Sequence, residues 1–395
     1  MSIEELQAHI EQLSAEIILQ KDVLRQLKRS KCAAQRQLNA LRDPISQLPL
    51  EISSEIFLQC LPHGPRDPMA GKAPQLLMNI CSGWISIALS NPALWDKIDL
   101  GFPGTQVLRL WAERAGIRPL SIVLRGALDE PVAGVLAQYA THIRHLELYG
   151  MQYLHVLNSN LSVGSLCFLR ALKVGPFVEG QSASLADVMA LLRFAPNLVE
   201  CTIDISIRNR SFPVQDLVLP SLEFLDGAVL QHLTLPSLNT LFATSGLISN
   251  QSLLLLFQRS SPPLQILALG YQNEADFPTL EMGLRLVPSL TQLDIKTLHH
   301  DFGQSFFTRL AESPSHFLPH LRNLKIRFRS PVGTFPYPAL LLALSARRIQ
   351  LASFHLGVLH PGEFEVVGDG LRTLIAEGME IYIGDAYGEV NYISA

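Results

Sequence analysis

Three segments decide the fold: Leu264-Gln-Ile-Leu267-Ala-Leu269, Leu290-Thr-Gln-Leu293-Asp-Ile295 and Leu321-Arg-Asn-Leu324-Lys-Ile326. Each sets an apolar pair three residues apart and a third apolar residue two further on. The phrase also occurs at Ile143-Leu146-Leu148, Leu169-Leu172-Val174 and Leu198-Cys201-Ile203, and in shorter form at Leu222-Leu225 and Leu238-Leu241. The central residues fall at 146, 172, 201, 225, 241, 267, 293 and 324, a loose period in the length class of one strand plus one return segment. Proline punctuates it at Pro196, Pro220, Pro236, Pro288 and Pro319, where a preceding helix must end. Helices are expected between strands over 184–194, 252–258, 279–287, 306–311 and 338–346. The step from Leu225 to Leu241 is too short for a helical return and predicts a hairpin-like or bare-loop connection. The last strands are expected at His355-Leu-Gly and at Met379 to Ile383.

The pattern is similar to a leucine-rich repeat, in irregular form. It implies an α/β solenoid with a mainly parallel sheet over 101–395. Alternation along 321–329 puts Leu324, Ile326 and Phe328 on one side and Lys325, Arg327 and Arg329 on the other. With the apolar side inward, those cations form a basic strip, extended by Arg322, that would accept an acidic or phosphorylated segment of a target protein. The bland alternative is a solvated strand face. Glu147, Thr202, Asp204 and Asp294 make the earlier strands more acidic or neutral.

Upstream, residues 3–41 hold one heptad frame. Ile3, Ile10, Ile17, Leu24, Lys31 and Leu38 occupy the a positions; Leu6, Leu13, Gln20, Leu27, Ala34 and Leu41 occupy the d positions. A lone amphipathic helix would drift at 3.6 residues per turn, so a stripe kept in frame this long reads as a coiled-coil seam over 1–43. It serves self-association, pairing with another coiled-coil protein, or folding back onto the rest of the chain. Asp43-Pro44 ends it. Lys28-Arg29-Ser30-Lys31 is read as a solvated face and not as an import signal.

Between the two lies 44–100. It contains Leu48-Pro49-Leu-Glu51-Ile52, then Ile56-Phe57, Cys81-Ser-Gly-Trp84 and Pro92-Ala-Leu94-Trp95. A short turn followed by an amphipathic helix is expected over 45–61 and a second helix over 75–90, separated by the breaker Pro62-His-Gly-Pro and a loop to Pro74. The four motifs in this order resemble an F-box, the helical module that joins a substrate receptor to an SCF-type ubiquitin ligase. The resemblance implies that Leu48, Pro49, Glu51, Ile52, Ile56 and Phe57 face a Skp-type adaptor. Trp84, Pro92, Leu94 and Trp95 would close the module on the same partner, and the cullin complex would follow.

Composition narrows the chemistry. With 48 % hydrophobic residues the chain has material for a core, and a net charge of −4 argues against a nucleic-acid binder. No apolar run is long enough to span a membrane, and no secretory signal opens the chain. Five scattered cysteines read as reduced thiols of a cytoplasmic or nuclear protein, with no metal site. Phosphate-binding loops, dinucleotide fingerprints, zinc-protease helices and nucleophile elbows are absent. His299-His300-Asp301 cannot easily converge, since neighbouring residues point apart. The expectation is a non-catalytic protein without a cofactor.

Overall fold

The structure, a computed structural model, describes residues 3–45, 48–61, 73–101, 104–126, 128–149, 154–176, 182–204, 206–208, 215–226, 230–243, 248–272, 277–297, 300–328, 335–358 and 368–385. It is a mixed α/β protein with a long N-terminal helix and a mainly parallel sheet. The chain divides into two compact units, Met1–Ser121 and Ile122–Ala395.

The first unit opens with α1 (Ile3–Arg42), one uninterrupted helix about 60 Å long. Its stripe is uncovered: Ile10 is 60 % exposed, Ile17 53 % and Leu27 62 %. The last turns of α1 meet the unit through Arg36, whose Nη2 donates to Asn79 Oδ1 (3.4 Å), and Asn39, whose Nδ2 donates to the Ile80 carbonyl (3.0 Å). Asp43 is then a joint as well as a stop. Its buried carboxylate accepts from Trp84 Nε1 at 2.6 Å, from the Cys81 thiol at 3.6 Å and from the Ile45 N–H at 3.0 Å.

α2 (Leu50–Gln59), α3 (Ala73–Met78) and α4 (Ser82–Ser90) follow. The helix expected over 75–90 is thus two, because Cys81 is extended (φ −155°, ψ 175°) and turns its side chain into the core. A short 3-10 turn, Pro92–Leu94, is capped by the Asn91 side chain, which accepts from the Ala93 N–H at 3.2 Å. β1 (Lys97–Leu100) and α5 (Thr105–Ala115) complete the unit. Trp95 is fully buried, donates through Nε1 to the Ala88 carbonyl (2.8 Å) and meets Trp111 of α5 edge to face at 5.3 Å. The Arg114 guanidinium lies 4.3 Å from the centre of the Trp95 ring. The compact unit therefore runs to Ser121. A helical module of some fifty residues cannot enclose such large rings without a further wall, which α5 supplies.

The second unit begins within β2 (Leu120–Arg125) and continues with α6 (Glu130–Gln138), β3 (Ile143–Tyr149), α7 (Leu154–Asn160), β4 (Ala171–Gly175), β5 (Ser182–Ser184), α8 (Leu185–Phe194), β6 (Glu200–Ile203), β7 (Ser206–Arg208), β8 (Leu217–Val218), β9 (Phe224–Asp226), β10 (Leu233–Thr234) and β11 (Thr240–Ala243). Then come α9 (Asn250–Ser260), β12 (Ile266–Gln272), α10 (Phe277–Arg285), β13 (Gln292–Thr297), α11 (His300–Glu312), β14 (Asn323–Phe328), α12 (Tyr337–Ala346), β15 (Ser353–Val358), α13 (Gly368–Ala376) and β16 (Glu380–Asp385). The main sheet runs in chain order from β3 through β4, β6, β9, β11, β12, β13, β14 and β15 to β16, and every one of these neighbours is parallel.

The repeated phrase fixes the register. Leu146, Leu172, Cys201, Leu225, Leu241, Leu267, Leu293 and Leu324 pair each with the next, and Phe354 and Ile381 extend the row. All are buried. In the short step from Leu225 to Leu241 the described residues contain no helix, as the interval requires. The connection is not a hairpin, however. β9 and β11 are parallel, and among the described residues of the return β10 pairs with β8 in a separate two-stranded ladder.

One buried cation shapes the end of this core. Arg347 is 1 % exposed, and its guanidinium donates to the carbonyls of Leu310 (3.1 Å), Leu318 (2.8 Å), Ser313 (3.3 Å) and Phe317. Burial lowers its pKa to about 10, so it is charged at neutral pH. It holds the turn after α11, including Leu318 at φ +53°, a left-handed conformation that costs energy for a branched side chain.

Candidate functional site

The start of α2 carries one candidate surface. Pro49 precedes the helix, and Glu51 sits in its first turn, where the helix dipole favours a negative charge. Helical spacing sends Ser53 and Phe57 inward. The Ser53 hydroxyl donates to the carbonyls of Pro49 (3.2 Å) and Ile45 (3.3 Å), and Phe57 packs on Trp84 at 4.8 Å. Leu50, Glu51 and Ile52 in the first turn of α2, and Leu48 and Pro49 just before it, are exposed, Ile52 by 51 %. Exposed apolar side chains such as Leu48, Leu50 and Ile52 suit the centre of a protein interface, and the charge of Glu51 suits its rim.

The expected adaptor-facing residues therefore separate. Leu48, Pro49, Glu51 and Ile52 are exposed, Pro92 is exposed, and Ile56 and Trp84 are half-buried. Phe57, Leu94 and Trp95 are fully buried and hold the unit together, so they present no surface to a partner. Sequence reasoning missed Leu50 on the patch and Asp43 beneath it. Asp43 was legible only as a helix stop, since its partner Trp84 lies 41 residues away.

The open face of the parallel sheet is the second candidate. One row across it reads Glu147, Lys173, Thr202 and, beyond β9, Phe242, Ala268, Asp294, Lys325, His355 and Tyr382. Leu324, Ile326 and Phe328 are buried and Lys325 and Arg327 are half-exposed, as the alternation requires. Of the four expected cations, Lys325 and Arg327 share this face of β14. Arg327 is paired with Asp294 at 2.7 Å. Arg322 precedes β14 and lines a groove of about 970 Å³ at the start of the strands with His320, Arg348 and Gln350. Arg329 lies outside the described residues. His355 stacks on Tyr382 at 4.1 Å; burial, with Lys325 and Arg327 nearby, lowers its pKa and keeps it neutral near pH 7.

A polar cluster at the other end of the row was not foreseen. Glu147 accepts from His145 Nε2 at 2.9 Å and from the Tyr149 hydroxyl at 2.7 Å. The His145 bond is the main reason its pKa falls to about 2, against the opposing effect of burial. Lys173 and Arg125 flank the Tyr149 ring at 5.7 and 5.9 Å. The Tyr149 hydroxyl and the Glu147 carboxylate beside it raise the Lys173 pKa, so the lysine stays charged. The i, i+2 spacing of His145, Glu147 and Tyr149 was visible in the sequence; Lys173 enters only through the register of β3 with β4.

Among the described residues no group of three His, Cys, Asp or Glu side chains is placed to hold a metal ion, and no helix is long and apolar enough to cross a membrane. Of the cluster His299-His300-Asp301, His299 lies outside the described residues. Comparison with protein-family models found no match, and comparison with curated proteins found none either.

Proposed function

We propose that this chain is a non-catalytic substrate receptor of an SCF-type ubiquitin ligase. On this reading 44–100, extended by α5, is an F-box-like module that binds a Skp-type adaptor. The parallel sheet that follows is an irregular leucine-rich-repeat-like solenoid whose open face holds a target protein, and the cullin complex joins through the adaptor. The observation that carries the reading is the split of the motif residues: Phe57, Leu94 and Trp95 build a small core, while Leu48, Pro49 and Ile52 stand exposed together at the start of α2. Its mechanism needs no bond chemistry on this chain. Holding adaptor and target on one polypeptide raises the effective concentration of the target at the transfer site. The protein then works in the cytoplasm or nucleus.

The test is co-purification of full-length protein with a Skp-type adaptor. Leu48→Glu together with Ile52→Glu places charge at the centre of the patch and is expected to abolish capture. Circular dichroism should not change, since both residues are exposed. Undiminished capture by the folded variant refutes the reading. The other reading is an interaction scaffold unconnected with ubiquitin transfer, and the uncovered stripe of α1 favours it to the extent that wild-type protein captures no adaptor.

A further inference from the structure

The stripe on α1 needs a cover, and three observations specify it. The first is orientation. α1 meets its own unit through Arg36, Asn39 and Asp43, which occupy f, b and f positions of the heptad, opposite the a and d residues. Docking the end of the helix therefore leaves the seam free along its length, and Leu38 is still 43 % exposed. The second is shape. A groove on the helix surface is lined by Leu13, Glu16, Ile17, Gln20, Lys21 and Leu24, which are seam residues plus the two charges that border them. The third is the choice of residues. Isoleucine fills the first three a positions and leucine the d positions Leu6, Leu13, Leu27 and Leu41, the distribution that favours two parallel strands.

We propose that α1 pairs with α1 of a second copy of this chain as a parallel, in-register, two-stranded coiled coil. In that arrangement each g residue faces the e residue five further along the partner helix. Glu16 then meets Lys21 of the other copy, twice per dimer, and the remaining pairs (His9 with Ser14, Val23 with Lys28, Ser30 with Gln35, Gln37 with Arg42) contain no like charges. Gln20 meets its own copy at a d layer, so both amides find a partner. Lys31 also meets its copy and must reach for water along its stem, which costs stability and disfavours larger bundles. The antiparallel alternative with full overlap does worse. Lys21 would oppose its own copy, Glu16 would face Ser30, and Gln20 would be buried against Leu24.

This pairing does not depend on adaptor binding, and its test uses the full chain alone. Light scattering on purified protein is expected to give twice the 43.7 kDa chain mass. Gln20→Cys, on a background carrying Cys32→Ser and Cys60→Ser, should form a disulfide-linked dimer on mild oxidation. Lys21→Glu should weaken the dimer about tenfold by turning two attractions into repulsions, and the swap Glu16→Lys with Lys21→Glu should restore it. A single-chain mass at tens of micromolar overturns the proposal. So does a dimer in which Gln20→Cys fails to cross-link, or one whose dissociation constant is unmoved by Lys21→Glu.

Discussion

Glu147 shows what a single carboxylate can contribute on a sheet face. Its oxygens are occupied by His145 and Tyr149, and its pKa lies near 2 against 4.5 for a free glutamate. A folded-state pKa below the unfolded one means that the stabilisation is complete above about pH 4.5 and is lost as pH falls toward 2. The contribution is roughly 2 kcal/mol, allowing for residual contact with water. Glu147→Gln should therefore lower stability at pH 7 and flatten its decline between pH 4.5 and pH 2. Urea midpoints measured at several pH values check this, and an unchanged slope in the variant would assign the acid sensitivity elsewhere. At this scale the sequence was a partial guide. Leu94 and Trp95 fit both a small core and an adaptor-facing surface in the sequence, as Phe57 does, because an apolar anchor of an interface and an apolar residue of a small core look alike in a motif; the structure buries all three. The sequence could not pair Arg327 with Asp294, since that contact joins two strands and needs their register.

Strand register was the most legible feature of the elements. A repeated phrase that buries its central residue leaves no freedom to slip, because a shift of one residue would turn the whole apolar row to solvent. The helices expected over 184–194 and 338–346 fall within a residue of α8 and α12, the one over 279–287 is two residues late for α10, and those over 252–258 and 306–311 are shorter than α9 and α11. The expected returns do not include α5, α6, α7 or α13; α5 and α6 lie before β3, where the phrase first occurs. The split between α3 and α4 depends on the extended backbone of Cys81, which no propensity announces. One helix position shows how closely the layers approach. A Cβ on Gly303 of α11 would lie 2.8 Å from Cζ of Phe328, a ring that is fully buried in β14. Gly303→Ala should destabilise the protein by about 1–3 kcal/mol through overpacking, although alanine is the better helix former by about 1 kcal/mol. A thermal melt decides the sign; a stabilised variant would mean that the ring has room to move.

Across the whole molecule the chain forms two compact units, Met1–Ser121 and Ile122–Ala395, and α5 belongs to the first. The division falls at Ser121 because Trp111 and Arg114 are committed to Trp95, a debt that composition does not reveal. The same view brings out the consequence of β9. It offers three paired residues to each neighbour, whereas β13 and β14 share six, and no helix backs it among the described residues from Asp204 to Ser249. In an array where each strand leans only on the next, cooperativity is transmitted link by link and breaks at the thinnest one. Amide hydrogen exchange should therefore resolve two protected blocks, one over β3 to β6 and one over β12 to β16. The amides of β9 and β11 should exchange between them at rates set by a shallower opening. Uniform protection from β6 through β12 would show that the thin link is no weaker than the rest.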